Sequence, residues 1–79
     1  MVKEIKIKAE TDKYKAVSYI IAELMNGEEV ELVALSGAIP KLCSIVDLLN
    51  RSIGISCKLQ IVRYGRSVGI KAKLRNEEV

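Results

Sequence analysis

From Val2 to Ala9, Ile5 and Ile7 alternate with Glu4, Lys6 and Lys8, the period-two pattern of a strand with one buried face. The period then lengthens. Tyr14, Val17, Ile20, Ile21, Leu24 and Met25 recur at the spacing of an amphipathic helix. Thr11 or Asp12 supplies its N-cap, and Asn26-Gly27 stops it. An apolar run, Val30 to Leu35, reads as a second strand spanning Glu29–Leu35 and ends at Ser36-Gly37. Pro40 suits the first turn of a second helix, where its missing N–H costs nothing. Ile39, Leu42, Cys43, Val46, Leu49 and Ile53 then recur at helical spacing, and the helix runs from Ile39 to Arg51 before Ser52-Ile53-Gly54 breaks it. A third strand, Ile55–Tyr64, alternates Ile55, Cys57, Leu59 and Ile61. Gly65-Arg66 turns the chain, and Val68, Ile70, Ala72 and Leu74 alternate along a fourth strand.

The order β-α-β-α-β-β predicts a two-layer α/β (α+β) sandwich: a four-stranded sheet, two helices on one face, and a C-terminal β-hairpin arm. Seventy-nine residues make a single domain over residues 1–79. Three Tyr, no Phe and no Trp leave the core aliphatic. No apolar run reaches membrane-spanning length and no signal peptide precedes the first strand, so a cytoplasmic protein is expected. Cys43 and Cys57 fall within apolar patterns and are expected to be buried thiols rather than a disulfide or a metal site. The absence of histidine removes His-activated nucleophiles and the commonest metal ligand.

The second helix carries more apolar residues than one sheet contact needs. Ile45 and Leu48 lie away from the stripe of Leu42, Val46, Leu49 and Ile53. In so small a domain, which is marginal alone, this surplus is expected to form a dimer interface. A tightly packed core with a few exposed apolar side chains is the alternative.

Charge separates the two halves of the chain. Through Asp47, six basic residues face eight acidic ones. From Leu48 to Asn76 the chain holds Arg51, Lys58, Arg63, Arg66, Lys71, Lys73 and Arg75 and no acidic residue. The hairpin is thus a cationic arm, with Arg63 and Arg66 flanking Tyr64-Gly65 at its tip and Lys71, Lys73 and Arg75 alternating onto the face opposite Ile70, Ala72 and Leu74. Such an arm suits a polyanion, although charge also protects edge strands from aggregation. Lys41 stands at the start of the second helix, where free backbone N–H groups favour a phosphate.

The segment Val30 to Leu49, with its Gly37-Ala-Ile-Pro-Lys41 turn, resembles the Alba family of small chromatin and RNA-binding proteins. Ala38, Ile39 and Lys41 match the family's turn directly, and Val46, Asp47, Leu48 and Leu49 match its helix in character. The resemblance implies a dimer that binds double-stranded DNA or RNA with little sequence preference through its basic hairpins. It also implies that Ile53, after the second helix, helps dimers associate side by side. The chain departs from the family where a Lys-Lys pair is replaced by Glu10 and Thr11, and where flanking arginines are replaced by Leu35 and Gly37.

The expected nucleic-acid-binding residues are therefore Lys8, Lys13, Lys15, Lys41, Arg63, Tyr64, Arg66, Lys71 and Lys73, with Ile45, Leu48 and Ile53 at dimer or dimer–dimer interfaces. The expected partners are duplex DNA or RNA and a second copy, or a more basic Alba-like paralogue, in a nucleoid- or RNA-associated setting. No cofactor, metal, membrane or small-molecule substrate is expected. Ser36, Ser44, Asp47 and Lys41 lie close in sequence but form no organised acid/base pair, so no catalytic residue is assigned. A protein–protein module built on the second helix is the competing reading.

Overall fold

A computed structural model describes residues 2–77; Met1, Glu78 and Val79, the ends of the expected domain, lie outside the described residues. The elements are β1 (Val2–Ile7), α1 (Lys13–Met25), β2 (Glu29–Leu35), α2 (Ile39–Ser52), β3 (Ile55–Tyr64) and β4 (Ser67–Asn76). This is the predicted order, with one addition: a short 3-10 turn, Ser36–Ala38, leads into α2.

The four strands form one sheet in the order β1-β2-β4-β3. β1 and β2 are parallel, whereas β4 runs antiparallel to both β2 and β3. The return of β4 into the middle of the sheet leaves β3 at an edge. At its entry Gly69 is buried opposite Leu35, where the backbones approach closely.

One face of the sheet carries Ile5 and Ile7, Val30, Leu32 and Ala34, and Ala72 and Leu74, packed with α1 and α2 into an aliphatic core. From α1, Val17, Ile20 and Leu24 are buried; from α2, Leu42, Ile45 and Leu49 are. Side-chain alternation puts Glu4, Lys6, Glu29, Glu31, Lys58, Lys71, Lys73 and Arg75 on the opposite, helix-free face. On that face Val33 is nonetheless only 4% exposed, because Lys6 and Lys71 flank it in register and their aliphatic stems shelter it.

Three expectations change. The buried stripe of α2 is rotated toward Ile45, which is fully buried in the core and therefore forms no dimer surface. Leu48 and Ile53 are half-buried and pack against the same core. Tyr14 and Met25, expected on the apolar face of α1, are exposed instead. Cys43 and Cys57 are both free and exposed, not buried. Cys43 lies on the flank of α2, and Cys57 faces the helices' side of β3, an edge strand that the helices only partly cover.

Candidate nucleic-acid interface

β1, β2 and β3 run in the same direction, so their carboxyl ends meet at one end of the sheet. The β1–α1 loop, the 3-10 turn before α2 and the β3–β4 hairpin tip all open there. That topology gathers Lys8, Lys13, Lys15, Lys41, Arg63 and Arg66 at one end of the molecule.

Local bonds shape the loop. The backbone N–H of Lys8 donates to Thr11 Oγ1 at 2.8 Å, and that of Thr11 to the Lys8 carbonyl at 3.1 Å. Asp12, rather than Thr11, is the N-cap of α1. Its Oδ1 accepts from the N–H groups of Tyr14 (3.0 Å) and Lys15 (3.2 Å). An acidic residue therefore stands among three lysines because the helix start needs an acceptor. The ammonium of Lys13 lies 5.3 Å from the centre of the Tyr14 ring, a cation–π contact on the surface.

Lys41 is half-buried in the first turn of α2, with Pro40 beside it. Ala38, at the cap position, offers no side-chain bond, so this helix start lacks the internal acceptor that α1 has. At the arm, Tyr64 pairs with Ser67 across the two-residue turn Gly65-Arg66. Gly65 has φ 58° and Arg66 does not have positive φ, the pattern of a type II′ hairpin. Arg63 and Arg66 are exposed at this tip.

Lys71 and Lys73 lie elsewhere. They alternate onto the helix-free face, whereas Arg63 points to the helix-bearing one. Lys71 Nζ lies 3.5 Å from Glu31 Oε1 in a mostly covered ion pair. Lys73, Lys58 and Arg75 are exposed on that face, which Tyr64 shares near the tip. Alternation along β4 already placed Lys71, Lys73 and Arg75 opposite Ile70, Ala72 and Leu74, and the sheet agrees, but reading them with Arg63 and Arg66 as one arm did not separate that face from the tip.

An apolar flank was missed as well. Leu59 (62% exposed) and Ile61 (78%) project from the helix side of β3, beyond the cover of α2. Leu59 and Cys57 line an open groove with Cys43 and Val46 of α2. Partial burial there pushes the Cys57 thiol pKa up. Among the described residues no cluster of His, Cys, Asp and Glu is placed to hold a metal ion, and no helix is long and apolar enough to cross a membrane.

A split β-α-β-α-β-β sandwich with its basic hairpin at the edge is an Alba-like fold. It is similar to the crystal structure of ALBA1 from Trypanosoma brucei, with a TM-score of 0.84 and 24% identity over 94% of this chain and 69% of that one. No protein-family model matches the sequence, and no curated protein matches it.

Proposed function

We propose that this protein binds double-stranded DNA or RNA through phosphate contacts, without sequence preference and without catalysing a reaction. The observation that carries the reading is the gathering of Lys8, Lys13, Lys15, Lys41, Arg63 and Arg66 at the carboxyl ends of three strands. Each cation that meets a phosphate releases condensed counterions. About six such contacts make affinity fall roughly a thousandfold between 50 and 200 mM salt. The Alba-like fold supports the same reading.

The working unit is a dimer. Leu59, Ile61, Cys43 and Val46 form an apolar strip on an edge strand and its neighbouring helix, and Ile61 is the most exposed large apolar side chain among the described residues. Covering that strip with a second copy, or with an Alba-like paralogue, removes it from water and protects the edge. The same strip favours the competing reading of a protein–protein module.

Fluorescence anisotropy with labelled duplex DNA and duplex RNA across a salt series tests the proposal. Wild type is expected to bind with a steep salt slope, and Arg63→Ala/Arg66→Ala to lower the slope by about 0.9 for each lost phosphate contact. A folded protein that binds neither duplex at low salt leaves the protein–protein module as the better account.

A further inference from the structure

Lys58 and Lys73 lie directly opposite each other in the antiparallel β3–β4 ladder, both exposed on the helix-free face. Like charges in directly opposed positions destabilise a sheet. Glu31, the neighbour of Lys73 across β2, is paired to Lys71 at 3.5 Å, and among the described residues neither Lys58 nor Lys73 forms an ion pair. Arg75 adds a further cation two residues along the same face. The arrangement is unfavourable in the free protein and favourable once an anion lies between the two ammonium groups.

The rest of the face limits what that anion is. The β1–β2 half carries Glu4, Glu29 and Glu31 with Lys6, whereas the β3–β4 half carries Lys58, Lys71, Lys73 and Arg75 and no acid. A polyanion is therefore confined to a ribbon two strands wide, about 5 Å between strand axes. A duplex is far broader and would bring phosphates over the glutamates. A single strand fits the ribbon. Cations two residues apart on one strand are spaced by about 7 Å, comparable to neighbouring phosphates in an extended strand. Gln60 lies between them and the tip, and Tyr64, half-exposed on the same face, offers a ring to an unpaired base.

We infer that the helix-free face of the β3–β4 ribbon is a second binding track, for single-stranded nucleic acid, centred on the opposed pair Lys58 and Lys73. The inference rests on the reading of the protein as a nucleic-acid binder but uses a face separate from the duplex-binding end. One molecule would thereby hold an unpaired strand and a duplex on different surfaces.

The test is anisotropy with a short labelled oligouridine and a labelled duplex, comparing wild type, Lys58→Gln/Lys73→Gln and Tyr64→Ala, with circular dichroism to establish that each variant is folded. For oligouridine, the double variant is expected to bind more weakly with a log–log salt slope shallower by about 1.4, or 0.7 per phosphate. Tyr64→Ala is expected to lose about fivefold or more in affinity without a change of slope. Duplex affinity should fall less than oligouridine affinity in both variants. Oligouridine affinity and slope equal in wild type and the double variant overturn the inference; retained duplex binding then leaves the proposed function standing. Equal losses for both ligands overturn the assignment to single strands. Oligouridine binding that depends on Lys58 and Lys73, in a protein that ignores duplexes, supports the track and removes the duplex reading.

Discussion

Gly69 of β4 packs against the carbonyl oxygen of Ala34 so closely that a Cβ at position 69 would overlap it, and would also lie 2.9 Å from Leu35 Cδ2. The requirement is one of space, because the backbone of Gly69 is not in the left-handed region. The contact lies where the hairpin enters the sheet between β2 and β3. The Ala34 carbonyl, with Leu35 Cα 3.1 Å away, is backbone, which cannot swing aside as the end of the Leu35 side chain can. Gly69→Ala is expected to destabilise the fold by about 1–3 kcal/mol, read as a lower urea midpoint with an unchanged m-value. An unchanged midpoint would show that β2 and β4 separate there without cost.

Asp12 holds the start of α1 but places a negative charge beside Lys8, Lys13 and Lys15. Its two roles separate in Asp12→Asn. Asparagine caps about as well as aspartate, so the stability loss stays within about 1 kcal/mol, the scale of the lost charge–dipole attraction. Removing the charge next to the phosphates should tighten duplex binding at low salt. Asp12→Ala, by contrast, loses the acceptor and should cost about 0.5–2 kcal/mol. Duplex binding unchanged by Asp12→Asn would mean that this loop does not meet the nucleic acid.

Much of this architecture was legible because each element keeps one period along its length. The alternation in β1, β3 and β4, the Asn26-Gly27 stop and the Gly65-Arg66 turn were read from local pattern, and the fold agrees with them. The failures share a cause. Whether Leu59 and Ile61 are covered depends on which strand lies at the sheet edge, and the insertion of β4 between β2 and β3 is a long-range pairing. Ile45 was misassigned for a related reason. α2 has apolar residues around much of its circumference, so periodicity leaves the buried direction undetermined and packing against β2 and α1 decides it. Alternation sufficed to put Lys71, Lys73 and Arg75 on the face opposite Ile70, Ala72 and Leu74, whereas the opposition of Lys58 to Lys73 required the register.

Leu59→Glu/Ile61→Glu tests the dimer. Both side chains are largely exposed in one chain, so their replacement should leave far-UV circular dichroism unchanged. In a dimer that covers them, each loses about 1.5 kcal/mol or more of apolar burial and introduces a charge that must be desolvated. Sedimentation equilibrium is expected to give a dimer for wild type and a monomer for the variant. A variant that stays dimeric would move the interface elsewhere. A monomeric wild type would leave only pairing with another Alba-like chain.

Cys57 reports on the same flank. Its partial burial disfavours the thiolate and raises its pKa, and the thiolate is the species that alkylates. Iodoacetamide should therefore modify Cys57 more slowly near pH 8 than an unhindered thiol. The rate should keep climbing with pH after a free thiol has levelled off. In wild type, dimer formation should protect Cys57 further, a protection that disappears in the double glutamate variant. Mass spectrometry of the modified peptide follows both effects, and equal rates in the two proteins would argue that β3 is not covered.

Lys58→Glu converts the opposed ammonium pair into a cross-strand ion pair with Lys73. The substitution removes a repulsion and adds an attraction on an exposed face, so the free protein should become more stable by about 0.2–1 kcal/mol. The gain should shrink in high salt, because exposed charges are screened. Binding should move the other way: a glutamate between Lys73 and the bound phosphate opposes the single strand. A raised urea midpoint together with weakened oligouridine binding would mean that the wild-type sequence keeps a less stable ribbon in exchange for an anion site. If the midpoint does not rise, the lysines are already splayed apart in solution, and their opposition carries no information about a ligand.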